Sequence, residues 1–163
     1  MKKLLSLTLC AWLLTAALCL AHSLPDTEAC VGGIGPGCTL GYVKSIYGEP
    51  TSAKRFSSDG VRVATYWYGD GFRVIGRVGS SDTREEDELP VVGYSLTDSS
   101  LSTPSGITVG MPYARVADQF GTGNSISFSG KTGYAYPLGG QREMSFFLDS
   151  QGNISEISLG TGF

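Results

Sequence analysis

This sequence predicts an α+β fold: two tandem repeats, each of one short helix plus about four antiparallel strands, with the helices on one face of a shared curved sheet. Two observations carry that expectation. Residues 33–48 recur as residues 106–121 at an offset of 73 residues without a gap, with Gly33/Gly106, Ile34/Ile107, Gly37/Gly110, Val43/Val116 and Gly48/Gly121 identical. Apolar character is kept at Tyr47/Phe120, Cys38/Met111 and Leu40/Tyr113. A fixed period of this kind marks a duplicated structural unit. Downstream of each copy, alternating apolar and polar stretches are cut by glycine- and Asp/Asn-bearing turns, the pattern of antiparallel strands with one face covered.

The chain opens with Lys2-Lys3 and an apolar run over residues 4–20, closing on Cys19-Leu20-Ala21. A basic end, an apolar centre and small residues before a cut are the layout of a secretory signal, over residues 1–21. The run is short for a membrane span and lacks a basic flank on its far side. Leu9 and Leu18 precede Cys10 and Cys19, where a lipid-modified cysteine needs a small residue. Cleavage after Ala21 leaves 142 residues and takes the formal charge from −3 to −5. That suits one compact domain, secreted or periplasmic. No basic patch is dense enough for nucleic acid.

Residues 22–32, with Pro25, Asp26, Glu28 and paired glycines, read as a lead-in segment; residues 33–104 form the first repeat and 105–163 the second. Cys30 and Cys38 survive cleavage, and an even count in an oxidising compartment predicts a disulfide. Five of the seven residues between them are Gly or Pro, so the chain can curl back. The repeat register also sets Cys38 opposite Met111, where a thiol would pack as a small hydrophobe.

Thr39 can cap a helix over Leu40–Tyr47, whose Leu40, Val43 and Tyr47 share one face. Gly48 stops it and Pro50 cannot continue it. In the second copy Pro112 suits a helix start, Tyr113, Val116, Ala117 and Phe120 make the stripe, and Gly121 ends it. Neither helix is long enough to hold alone, so each must lie on a sheet. Strands follow at 52–56, 61–68, 72–78 and 91–96, then at 125–128, 133–136, 143–149 and 154–159, each pair separated by a turn or a polar loop.

The phrase Gly106-Ile107-x-x-Gly110-Met111-x-Tyr113-x-x-Val116-x-x-x-Phe120-Gly121, followed by the Tyr-x-Tyr pair Tyr134/Tyr136, resembles the helix-plus-sheet repeat of bacterial envelope proteins. These include the small outer-membrane assembly lipoproteins of the SmpA/OmlA type and the tandem β-lactamase-inhibitor proteins. The tandem arrangement is closer to the inhibitor-like architecture. The resemblance implies a fold and action by binding proteins in the envelope or outside the cell. It carries over no site residue, and fold alone does not fix function.

Catalysis finds little support. The single histidine, His22, would begin the mature chain, which excludes a His-based triad or acid–base pair and removes the usual metal ligand. Gly130-Lys131-Thr132 ends like a phosphate loop, but the glycine needed five positions earlier is Ser125, and a hairpin turn stands where a strand-to-helix turn is required. Asn153-Ile154-Ser155 matches a glycosylation acceptor but overlaps a tight turn, and is expected to be unmodified. The acidic loop from Asp82 to Glu88 reads as a solvated loop or as a docking or cation element; it lacks the turn glycine of a calcium loop.

The open face of the sheet carries the functional expectation. Period two separates Val61/Val63/Trp67 from Arg62/Ala64/Tyr66/Tyr68, and Phe72/Val74/Val78 from Arg73/Ile75/Arg77. With the aliphatic sets against the helices, the open face presents Arg62, Tyr66, Tyr68, Arg73 and Arg77. Tyr134 and Tyr136, which align with Tyr66 and Tyr68, and Phe147 would extend it. Tyr and Arg are enriched in interface hot spots, so these eight are the expected partner-binding residues. The plainer alternative is that they are ordinary solvent-side strand residues. The function expected is an exported, non-enzymatic protein-binding module without cofactor. A secreted inhibitor of an extracellular hydrolase and a small carboxylate-dependent hydrolase are the alternatives.

Overall fold

The computed structural model describes residues 24–161, so the leader predicted over residues 1–21 lies outside the described residues. Among the described residues there are two α-helices, α1 (Leu40–Tyr47) and α2 (Ala114–Phe120). Four strands follow α1: β1 (Ser52–Ser58), β2 (Val61–Tyr68), β3 (Phe72–Gly79) and β4 (Val91–Leu96). Four more follow α2: β5 (Asn124–Phe128), β6 (Lys131–Leu138), β7 (Arg142–Leu148) and β8 (Ile154–Thr161). All eight form one antiparallel sheet in the order β1-β2-β3-β4-β8-β7-β6-β5. The two halves meet at its centre, where Tyr94, Ser95 and Leu96 pair with Leu159, Ser158 and Ile157.

Groups visible in the sequence fix α1 at both ends and α2 at its C-terminal end. The Thr39 side chain accepts from the Tyr42 N–H, and the chain leaves α1 through Gly48 at φ 78°. α2 leaves through Gly121 at φ 76°. Both dihedrals lie in the left-handed region, which costs glycine nothing. Matched positions of the two sixteen-residue stretches make matched bonds: Leu40 N–H donates to Leu89 O at 3.0 Å, as Tyr113 N–H does to Gly152 O at 3.1 Å. Likewise Val91 N–H donates to Cys38 O at 2.9 Å and Ile154 N–H to Met111 O at 2.8 Å. Below α1, Gly76 leaves the sheet bare; a Cβ there would lie 2.8 Å from the Leu40 side chain. That absence lets the helix seat on the strands.

The lead-in segment belongs to the core. Leu24, Ala29 and Val31 are buried, flanking a 3-10 turn at Asp26–Glu28. Glu28 Oε1 accepts from Ser105 Oγ at 2.8 Å, tying the segment to the start of the second half. Cys30 and Cys38 are half-buried free thiols; burial first, then the neighbouring Cys38, pushes the Cys30 thiol up.

The structure reverses the expected face of β2 and, with it, of β6. Tyr66 is fully buried under α1, with Lys44 Nζ 5.4 Å from its ring centroid and its phenol donating to Glu86 Oε1 at 2.6 Å. Tyr68 packs on Tyr47 of α1 at 5.5 Å and donates to Gly48 O at 3.3 Å. In the second half Tyr134 stacks on Tyr113 at 4.3 Å, and buried Tyr136 donates to Gly121 O at 2.5 Å. Arg62 lies on the same side, donating to the Arg84 carbonyl. All five therefore face the helices, where a tyrosine covers apolar area while its hydroxyl reaches a carbonyl or carboxylate. Val61, Val63, Thr65 and Trp67 take the other face.

The acidic loop is a clasp over α1. A 3-10 turn at Glu86–Glu88, closed by a capping box between Glu85 and Glu88, packs against the helix. Glu86 takes Arg55 Nε at 2.5 Å as well as Tyr66, and Asp87 takes Lys44 Nζ at 2.7 Å. Burial and the bond to Glu86 push the Tyr66 phenol up to about 12, so it stays a donor.

Two measurements check this frame. Tyr136 has one proton, which goes to Gly121 O; Tyr113 therefore donates to Tyr136 across 2.8 Å and accepts from Gly123 N–H at 3.0 Å. Tyr136→Phe breaks that relay in a buried place and is expected to lower unfolding free energy in urea by about 1–2 kcal/mol. Tyr68→Phe, at the longer and half-exposed bond, should cost less. The Glu86 carboxyl is held below its ordinary 4.5, first by Arg55 and then by the Tyr66 hydroxyl. A depressed carboxyl contributes stability that is present above its unfolded value and lost as pH falls through its folded one. Wild type should therefore exceed Glu86→Gln in urea midpoint at pH 7, and the gap should close as pH drops below about 4.5.

Candidate functional site

The helix-free face of the sheet holds a groove of about 590 Å³. Its walls come from both halves: Val63 of β2, Arg73, Ile75 and Arg77 of β3, Phe128 and Lys131 at the β5–β6 turn, and Glu143, Phe147 and Glu156 of β7 and β8. In a flat sheet β2 and β5 would stand about 29 Å apart, six spacings of ~4.8 Å. The sheet is bent so that both line one cavity. Register places the groove-face residues of neighbouring strands side by side, Trp67 opposite Arg73, Thr65 opposite Ile75 and Val63 opposite Arg77.

The two sides of the groove differ in charge chemistry. On the second half, Glu156 is buried yet doubly held, accepting from Ser95 Oγ at 2.7 Å and from Lys131 Nζ at 2.5 Å. Lys131 Nζ also stands 6.0 Å from the Phe147 ring centroid, so the same ammonium neutralises the carboxylate and roofs the aromatic floor. Glu143 accepts from Ser145 Oγ at 3.3 Å. On the first half, Arg73 and Arg77 are exposed, and their side chains have no hydrogen-bond or ion-pair partner among the described residues.

Of the eight residues expected to bind a partner, the structure brings Arg73, Arg77 and Phe147 into the groove. Phe147 is only 3% exposed, its ring covered beneath Lys131, so it contributes floor rather than contact. Arg62, Tyr66, Tyr68, Tyr134 and Tyr136 lie across the sheet against the helices and their loops. Val63, which the sequence pattern groups with Val61 and Trp67 on the helix side, instead lines the groove, as does the Lys131–Glu156 pair, which no local pattern signals.

Along the strands the two groove carboxylates are set apart: Glu143 pairs with Gly160 and Glu156 with Phe147. That is four registers, a backbone separation of about 13 Å. Among the described residues no three His, Cys, Asp or Glu side chains gather as a metal set, and no helix is long and apolar enough to cross a membrane. What the surface offers is shape, apolar area and two unneutralised guanidiniums.

No protein-family model matches the chain, and no curated protein matches it in sequence. In three dimensions it is similar to an extracellular protein containing a SCP domain from Bacillus anthracis str. Ames, with a TM-score of 0.51 at 11% identity, over 98% of this chain and 49% of that one. The chain thus spans about half of that protein. A DUF4309 family protein (YjgB) from Bacillus subtilis aligns at a TM-score of 0.48 and 14% identity, over 80% of this chain and 84% of that one. A "putative beta-lactamase inhibitor protein" from Streptococcus mutans aligns at 0.32 and 13% identity, over 75% and 82%. Identities this low speak to the fold alone, and scores below 0.5 carry no further argument.

Proposed function

We propose that this chain is an exported, non-enzymatic protein-binding module that seats a partner protein in the groove on the helix-free face of its sheet. It is built, on this reading, of two tandem helix-plus-sheet units of the kind its sequence resembles. One observation carries the proposal: an apolar groove shared by both halves is lined by Arg73 and Arg77, whose side chains have no partner among the described residues, with Trp67 opposite Arg73 on the same face of the sheet. Trp and Arg dominate interface hot spots, because each joins large contact area to a directional polar group. A groove of this volume could hold a small molecule. Its open walls and unpaired charges suit a protein surface better. Export is supported by the basic–apolar–small leader and agrees with the extracellular description of the Bacillus anthracis protein that shares the fold.

Site-specific photocross-linking in the producing cell tests the reading. A photoreactive residue at Thr65, on the groove face, should give protein adducts that Arg73→Ala/Arg77→Ala reduces. The same residue at Ile46, exposed on α1, should give none. Adducts from Ile46 alone would place the partner on the helical side and overturn the proposal.

The same compartment bears on the cysteines, which we propose to be bridged after export. Intact mass of the secreted protein should be lower by two hydrogens before reduction than after it, and thiol alkylation without reductant should label neither Cys30 nor Cys38. Full labelling would show the thiols to be separate packing residues.

A further inference from the structure

We propose that the groove takes an extended acidic segment of the pattern acid–x–apolar–x–acid, laid along β3. The inference rests on the protein-binding reading above and names the chemistry of the partner.

The argument begins with where the cations go. Lys44, Arg55, Arg84 and Lys131 sit in ion pairs. Arg62 and Arg142 donate to backbone carbonyls. Among the described residues the side chains of Lys54, Arg73, Arg77 and Arg115 do neither, and of these four Arg73 and Arg77 line the groove. Their cross-strand neighbours offer nothing acidic: Arg73 stands between Trp67 and Ser95, and Arg77 is opposite Val63. The buried groove carboxylate, Glu156, is already satisfied by Lys131 and Ser95. Glu143, on the opposite wall, accepts from Ser145 and reaches neither arginine, so the two guanidiniums of β3 stand without an ion pair beside apolar surface. That is where a partner's carboxylates gain most, since bidentate guanidinium–carboxylate pairs strengthen as water is excluded.

Spacing fixes the form of the segment. Arg73, Ile75 and Arg77 alternate on one face with an apolar residue between two cations, and the outer pair is about 13 Å apart at ~3.3 Å per residue. An extended chain matches this with acids at i and i+4 and an apolar residue at i+2. A helix comes nearest to this span at i+8, about 12 Å, but sets that residue about 80° around its axis from the first, whereas an extended chain keeps both acids and the apolar residue in one line.

The test is an amide-shift titration of the secreted protein with three heptapeptides at low salt. The probe is acetyl-Ser-Glu-Ser-Leu-Ser-Glu-Ser-amide; in the other two, Gln or Lys replaces both Glu residues. The acidic peptide should shift β2 and β3 groove residues saturably, at least about tenfold more tightly than the Gln peptide, and the Lys peptide should not bind. Arg73→Gln or Arg77→Gln should each weaken it about threefold. Arg73→Glu/Arg77→Glu should invert the preference in favour of the Lys peptide. Both arginines are exposed, so an unchanged circular-dichroism spectrum confirms that the variants fold. Equal binding of the acidic and Gln peptides removes the acidic class while leaving the groove a protein-binding surface. Shifts confined to α1, or no shifts with any peptide, overturn the proposal. Loss of the groove cross-links is what would overturn the broader reading.

Discussion

The last carbonyl of a short helix is the constraint from which the rest of this fold follows. α1 and α2 have eight and seven residues, too short to hold without tertiary support. Each ends at a glycine whose own carbonyl points off the helix and needs a donor. Tyr68 supplies it to Gly48 and Tyr136 to Gly121, each from the second strand after its helix. Once those phenols are committed, strand alternation puts Ala64 and Tyr66, or Ala135's neighbours Tyr134 and Tyr136, against the helix as well. The opposite face is then left to Val63, Thr65 and Trp67. In each half the buried tyrosines and their phenol bonds thus set the face of the second strand, and in the first half leave Val63 to the groove.

The two halves reach this arrangement with different chemistry around it. The first half holds its helix with charge, through Glu86 and Asp87 reaching Arg55, Tyr66 and Lys44. The second half has no such loop and uses aromatic contact, Tyr113 stacked on Tyr134 with a phenol relay running to Gly121. The acidic loop, which reads in sequence as a solvated loop or as a docking or cation element, is thus largely engaged in holding α1, on the side of the sheet away from the groove.

Much of the fold was legible because its signals are local. Thr39, Gly48 and Pro50 bound α1, and α1 spans Leu40–Tyr47. Turn residues bound the strands, and eight of them form one sheet with the helices on a single side. The faces of β3 were legible too, since Phe72 and Val74 differ sharply from Arg73 and Arg77. β2 was not, because both of its alternating sets are apolar or aromatic. Choosing between Trp67 and Tyr68 requires knowing that a helix carbonyl stands twenty residues away in sequence, waiting for a hydroxyl. The same long-range dependence hid Lys131 and Glu156, which meet across 25 residues.

Charge placement follows the same division. In the second half the groove's buried carboxylate is neutralised in place, so that side contributes a settled polar wall and a roofed Phe147. In the first half the acids that could have neutralised β3 are on the other face, drawn there by Lys44 and Arg55. They sit in the 3-10 turn that packs on α1, with the sheet between them and the groove. The groove's own carboxylates stand on the other wall, Glu156 held by Lys131 and Ser95 and Glu143 by Ser145. Charge in the groove is therefore divided between its walls, with the guanidiniums of β3 on one side and the carboxylates of β7 and β8 on the other.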